Sequence, residues 1–403
     1  MNNFIYQSLL KSSLCYRINP SLKQIKRFIN KIANPQNSLD ASCIIAGTNG
    51  KASTSYSLYF LMRNIGLNVG LYTSPHIFDF RERIIYNDRK IKEQEIKDIY
   101  RTLCRLKEFN ELTFYEKMTA ISFIYFKEMK PDFTIFEVGM GGRWDAVRVI
   151  PSKTVFLVNV SIDHLEYLGK DRKTILLDKA FITHNREEAI IGFRMDRNSI
   201  KSERCYCYGE EFYFNKDNQF ILFSEKTDFG YPEYLPPLYK SDVASALFYL
   251  TKNFNKRDVV RSFKKTVFKF PARFDFIRTN VILDIAHNPE AFFYLMKELL
   301  SRFSGNISVV FGICKDKEIE LILPILKHKR IKVIVYEPEA YERTLQKKDL
   351  IKLLEKYRIL YYDKICLKEL RKEDCLCITG SIMTVSKFCR EYGYSPSIFW
   401  NEG

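Results

Sequence analysis

"IIAGTNGKAST" (residues 44–54) decides how the chain is to be read. Its apolar opening has the character of a buried strand. The stretch that continues it, "STSYSLYFLMRNIG" (53–66), has that of a helix ended by Gly66. Between them, Gly47-Thr48-Asn49-Gly50-Lys51 fills the strand-to-helix turn that a phosphate loop needs. Glycines let backbone N–H groups approach phosphate oxygens, the helix N-terminus adds partial positive charge, and Lys51 supplies a full one. The spacing is shorter than G-x-x-x-x-G-K-[ST], and Ala52 stands where a P-loop keeps a magnesium-binding Ser or Thr. Taken alone, the stretch leaves two readings open: a nucleotide site, or a Gly-rich turn.

Working outward, "NVGLYTS" (68–74), "FTIFEVG" (133–139) and "KTVFLVNVS" (153–161) read as strands, the last two apolar enough to be covered on both faces. "KMTAISFIYFKEMK" (117–130) reads as a helix stopped by Pro131, and "SLKQIKRFINKI" (21–32) as one with an apolar stripe. This alternation predicts a mostly parallel sheet with helices on both sides. From 205 to 235 the pattern turns irregular and aromatic, and "FYFNKDNQFILF" (212–223) predicts antiparallel strands. Residues 240–253 return to a helical pattern. After "KFPARFDF" (269–276) a second alternation runs through "NVILDIA", "ISVVFGI", "KVIVYEP", "RILYYD" and "CLCITG". The expected class is therefore α/β, with a P-loop-containing, mostly parallel domain over 1–270 and a smaller Rossmann-like α/β domain over 271–403.

The bulk numbers agree with a globular enzyme-sized protein. At 403 residues the chain is too long for one ordinary core, and 46% apolar with 28% charged residues is a soluble composition. No run of about 18 apolar residues occurs, so no membrane partner is expected. The formal charge of +16 fits attraction of polyanions, steering of small anions, or drift in an AT-rich coding sequence. Basic blocks and nucleic-acid signatures are missing, so no nucleic-acid partner is expected. The first 39 residues carry six Lys or Arg and no acid, as a targeting segment would, but the 21–32 stripe argues for a structural helix. Ten cysteines without a CxxC read as reduced core thiols of a cytoplasmic protein.

Three more strand ends carry chemistry: "YTSPHIFDFRERI" (72–84), "FEVGMGGRWDA" (136–146) and "VSIDHLEYLG" (160–169). In an open parallel sheet, ligands sit outside the carboxyl ends of the strands. The phosphate loop, Ser74, Glu137 and His164 would then share one rim, as a magnesium–nucleotide site requires.

These stretches, with "NPQ" (34–36), "LTFYEKMTA" (112–120), "DKA" (178–180), "PARF" (271–274), "LDIAHNPEA" (283–291) and "ITGS" (378–381), resemble the folylpolyglutamate synthase/dihydrofolate synthase family of the Mur ligase superfamily. The resemblance runs in family order from about residue 21 to 383. It implies an ATP-dependent ligase that joins L-glutamate to a folate or dihydropteroate carboxylate through an acyl phosphate. A Mur-type ligase for another carboxylate, or a non-catalytic nucleotide- or folate-binding relative, are the alternatives.

By motif position the resemblance puts Gly47, Asn49, Gly50, Lys51, Ala52 and Ser53 on the triphosphate, and Asp242, Arg273, Asp284 and His287 on the rest of ATP. It makes Ser74, Glu137, His164 and Lys179 ligands of Mg2+ at two sites, Lys179 through a CO2-derived carbamate, and it leaves room for a monovalent cation. Lys51, Lys179 and His164 become the catalytic set. Thr113, Tyr115, Asp145 and Ala146 fall on the pterin-bearing substrate. The expected protein is a monomer whose second domain closes over the nucleotide.

Departures from the family pattern cluster away from the metal positions. Ala52 and Ala272 stand where the family has glycine, Ile285 stands in "DIAHNP", Asp242 stands for an asparagine, and Arg148 stands where the family keeps Asn. The segment 181–190 after Lys179 is replaced altogether. The pattern is that of an active ligase with altered substrate preference; a fading enzyme is the harsher alternative.

Overall fold

The structure, a computed structural model, describes residues 4–10, 21–163, 165–169, 171–193, 195, 197–338, 343–364 and 371–395. The chain forms two compact units. The first comprises the chain up to Val160 together with Arg172–Phe268. The second comprises Ser161–Asp171 and, among the described residues, those from Lys269 to Ser395.

The first unit is built on eight strands: β1 Ser42–Ala46, β2 Val69–Tyr72, β3 Ile84–Tyr86, β4 Arg89–Lys90, β5 Phe133–Glu137, β6 Thr154–Leu157, β7 Glu188–Ile191 and β8 Arg204–Cys207. They lie in the order β4-β3-β2-β5-β1-β6-β7-β8. From β2 to β8 every pair is parallel, and only the β2–β3 and β3–β4 pairs are antiparallel. Every residue of β1, β2, β5, β6 and β7 is buried, as a sheet covered on both faces demands. Helix Lys51–Ile65 packs between this sheet and helix Lys240–Asn253, and it ends where Gly66 turns left-handed at φ 105°. Helix Phe114–Met129 stops at Lys130, whose left-handed φ of 48° precedes Pro131. The predicted antiparallel strands are β9 Phe212–Phe214, β10 Gln219–Leu222 and β11 Glu225–Gly230, a separate three-stranded sheet.

The second unit carries β12 Asp275–Arg278, β13 Val281–Leu283, β14 Ile307–Phe311, β15 Ile331–Val335, β16 Tyr361–Tyr362 and β17 Cys375–Thr379, in the order β12-β13-β17-β14-β15-β16. All pairs are parallel except β12–β13. "CLCITG" forms the buried strand β17, where burial pushes the Cys375 thiol up to about 12. Among the described residues no helix is long and apolar enough to cross a membrane.

The short segment Ser161–Asp171 belongs with the second unit for a local reason. The Asp163 carboxylate is 2.7 Å from Lys317 Nζ and 3.2 Å from His287 Nε2, and the Ser161 hydroxyl bonds to Glu290.

Candidate active site

Strand register brings the first site residues together. Ile44 lies beside Phe136, Ala46 beside Leu157, and Tyr72 beside Phe136. The residues just past these pairs are Gly47, Thr73 with Ser74, Glu137, and Val158 with Asn159, so all of them reach one edge of the sheet. The chain leaves β1 toward β2 on one side and β6 toward β7 on the other, which opens a crevice at that edge.

Glu137 is 1% exposed. Its Oε2 accepts from the Thr73 hydroxyl and, at 3.4 Å, from the Ser74 N–H. Its Oε1 takes no hydrogen bond from the described residues, so one oxygen of a buried carboxylate is left for something else. Thr73 went unnoticed in the sequence, although it stands next to Ser74.

The phosphate loop is held at close quarters. A Cβ on Gly47 would come 2.6 Å from the Val158 side chain, and one on Gly50 would come 2.6 Å from Asp242 Oδ1. Gly50 also has φ 87°, a left-handed value that favours glycine. Thr48 N–H donates to Asn159 O at 2.9 Å, and Lys51 Nζ donates to Gly47 O and Thr48 O at 3.1 Å each. Lys179 is 3% exposed, and its Nζ donates to Gly47 O at 3.0 Å. Both expected lysines therefore reach the same turn. Ala52 sits in the first helical turn with ordinary helical backbone, so the methyl group where the family has glycine introduces no left-handed strain.

Asp242 lies against the phosphate loop. Its carboxyl is buried against the loop, with Oδ2 2.5 Å from the Ser53 hydroxyl, which also lies 3.1 Å from Gly50 O. Burial pushes this carboxyl up to about 7, against the hydrogen bonds of Ser53 and Ser241. A carboxyl enclosed beside Gly50 braces the loop.

Tyr115 and Asp145 form a second knot beside Glu137. The Tyr115 hydroxyl is 3.0 Å from Asp145 Oδ1 and 3.2 Å from Glu137 O, and it accepts from Gly139 N–H at 2.8 Å. Asp145 also accepts from the N–H groups of Gly139, Met140 and Val147 at 2.9, 3.1 and 3.0 Å. Burial raises its carboxyl to about 6 in spite of these donors. Ala146 is buried directly after it. Thr113, also buried, caps the start of helix Phe114–Met129 in a reciprocal box with Glu116, so its side chain is engaged in fixing that N-terminus.

In the second unit Asp284 accepts from Phe274 N–H and Ala286 N–H at 2.7 Å each, and burial raises it to about 6. It thereby fastens the turn that holds Arg273, whose Nη1 donates to Pro271 O at 2.9 Å. Ala272 and Phe274 on either side are left-handed, at φ 51° and 48°. His287 sits between Ile285 O, 2.9 Å from Nδ1, and Asp163. His164 lies outside the described residues. Asp163 and Lys317, which anchor the segment carrying it, were not singled out in the sequence.

Comparison with known proteins adds independent findings. The Mur ligase middle domain matches residues 45–211, and the Mur ligase glutamate ligase domain matches 272–382. A dihydrofolate synthase/folylpolyglutamate synthase of Buchnera aphidicola from Acyrthosiphon pisum is 32% identical over 366 residues, 85% of this chain and 87% of the relative. The solved bifunctional folylpolyglutamate synthase/dihydrofolate synthase of Yersinia pestis, complexed with AMPPNP and Mn ion, superposes with a TM-score of 0.85 at 23% identity, covering 97% of this chain and 98% of that one. Escherichia coli FolC in complex with DHPP and ADP superposes with a TM-score of 0.82 at 23% identity, covering 97% of each chain.

Proposed function

The chain belongs to the dihydrofolate synthase/folylpolyglutamate synthase family, and on that premise we propose that it is an ATP-dependent ligase joining L-glutamate to the carboxylate of a folate, of dihydropteroate, or of both. The proposal covers a cytoplasmic monomer with domains 1–270 and 271–403. The observation that carries it is the shared sheet edge, where Lys51 and Lys179 meet at Gly47 O beside the clasped carboxylate of Glu137.

The chemistry follows from the substrate. A carboxylate resists nucleophiles because its charge and resonance disfavour attack. Transfer of the γ-phosphoryl group of ATP to it gives an acyl phosphate, whose leaving group is phosphate. The free amine of glutamate attacks that carbonyl, and the tetrahedral adduct expels phosphate to leave the amide. The protein's work is positioning and charge neutralisation. The Gly47–Ser53 turn and Lys51 hold the phosphates. Tyr115 and Asp145 set the wall on which the pterin end rests, and Thr113 fixes the helix that carries Tyr115. Arg273, Asp284 and His287, all of the second unit, carry the ATP role that the resemblance gives them.

The donor set fits a divalent ion. Glu137 has one carboxylate oxygen that takes no hydrogen bond from the described residues, Ser74 stands beside it, and Lys179 comes to the Gly47 turn from the helix Arg172–Ala180. Magnesium held by Ser74, Glu137 and a carbamylated Lys179 would neutralise triphosphate charge during transfer. Carbamylation needs the Lys179 amine to lose its proton, and it turns a cation into an oxygen ligand.

A substrate panel tests the reading. Purified protein is given ATP, magnesium and labelled glutamate with dihydropteroate, tetrahydrofolate or a muramyl nucleotide. Label should enter the pteroate compounds only. Label on the muramyl compound, or phosphate release independent of glutamate, refutes it.

A further inference from the structure

The loop after β5 and the segment after Lys179 meet in a group of cations that the proposed ligation does not use. The guanidinium carbons of Arg143 and Arg148 lie 4.5 and 4.4 Å from the centre of the Phe181 ring. The His184 ring stacks on Phe181 at 4.0 Å and 22°. Lys201 is tied in by its backbone N–H, which donates to Thr183 Oγ1 at 3.0 Å. Arg148 Nη1 donates to Arg143 O at 3.1 Å, which holds the two arginines together.

No acid among the described residues pairs with this group. Among the described residues neither arginine nor Lys201 makes an ion pair, and the buried Nε–H of Arg143 has no hydrogen-bond partner. Burial lowers Arg148, and Arg143 lowers it further. Burial lowers His184 as well, and the charges of Arg148, Lys201 and Arg143 add to that. Two crowded, half-buried arginines without an acidic partner among the described residues are costly in the free protein and ready to receive an anion. Planar guanidinium forks favour carboxylates, and stacking on Phe181 fixes their planes. The group flanks Asp145, and it is made largely from the positions where the chain departs from its family, Arg148 and the segment 181–190.

We propose that Arg143, Arg148, His184 and Lys201 form a carboxylate-binding cluster that takes the oligo-γ-glutamyl tail of a folate. The proposal rests on the ligase reading, which, when ligation is repeated on a folate, supplies a product with successive free carboxylates spaced along a flexible chain. A chain of that kind can meet several separated cations at once, as a single carboxylate cannot.

Direct binding tests it without turnover. The probe is a fluorescent γ-linked oligoglutamate, added to the full chain at two salt concentrations. The intact protein should bind it, more weakly at high salt. Arg148→Asn should weaken binding about tenfold and the exposed Lys201→Gln about threefold, in line with loss of one charge-assisted contact each. Thermal melting checks that both variants fold, and the lysine variant, on the surface, keeps the test valid if the arginine variant does not. Absence of binding, equal binding by both variants, or equal displacement by inorganic triphosphate overturns the proposal. Ligation of glutamate to dihydropteroate is measured separately. If ligation fails while the probe binds as described, the ligase reading falls and the carboxylate cluster stands.

Discussion

Replacing Asp242 by Asn should change how stability depends on pH. Unfolded, the carboxyl titrates at its ordinary value of 3.8, and folded, it is pushed up to about 7 by burial. Between these values the folded protein keeps a proton that the unfolded chain has released. Stability therefore falls as pH rises from about 4 to about 7, and stays at the lower level above that. A gap of about three pH units corresponds to about 4 kcal/mol. Asparagine removes the ionisation and can still accept from the Ser53 hydroxyl, but its NH2 group needs an acceptor, a debit of about 1 kcal/mol. Asp242→Asn should therefore be slightly less stable than the parent near pH 4 and about 3 kcal/mol more stable at pH 8. In a unit of this size that gain is about 10 °C in melting temperature. Thermal melts of both proteins from pH 4 to 8 give the difference directly. Asp145 and Asp284, also raised by burial, are common to both and drop out. Parallel melting curves across the whole range would refute the reasoning.

Three further outcomes follow from the same geometry. Gly50→Ala places a Cβ 2.6 Å from Asp242 Oδ1 at a left-handed φ, and should lower stability by about 3 kcal/mol in denaturant melts and weaken ATP binding. Ala272→Gly relieves the left-handed backbone at φ 51° and should raise the stability of the second unit by about 1 kcal/mol; a loss there would contradict the strain argument. Lys179→Ala should reduce glutamate-dependent phosphate release at least about 100-fold, and a variant that retains most of its turnover would remove Lys179 from the machinery.

What the sequence made legible is what local pattern can encode. Apolar runs marked β1, β2, β5 and β6, and the glycine-lysine turn marked the loop, because strand burial and phosphate approach both constrain nearby residues. Glu137 and Ser74 could be placed on one edge because parallel strands put their carboxyl ends together. The contact of Asp242 with the loop was not legible, for a physical reason. Its partner Ser53 lies 189 positions away, and no local pattern tells an acid that braces a loop from one that faces a ligand. The same holds for Asp163 and Lys317, 154 positions apart and ordinary in type. Thr113 shows the opposite case. The spacing of Thr113 and Glu116 is that of a capping box, and the cap was there to be read. The cationic cluster around Phe181 was visible only as a departure at Arg148 and an unfamiliar segment. Its meaning comes from tertiary contact.

The central claim is that the substrate carboxylate is activated by phosphoryl transfer. Heavy-oxygen label in that carboxylate reports on it directly. Dihydropteroate labelled in both carboxylate oxygens is turned over with ATP and unlabelled glutamate, and the released phosphate is analysed by mass. The account predicts that one labelled oxygen passes to phosphate with each amide formed. Phosphate that carries only oxygen from ATP or water, with amide still produced, would contradict it.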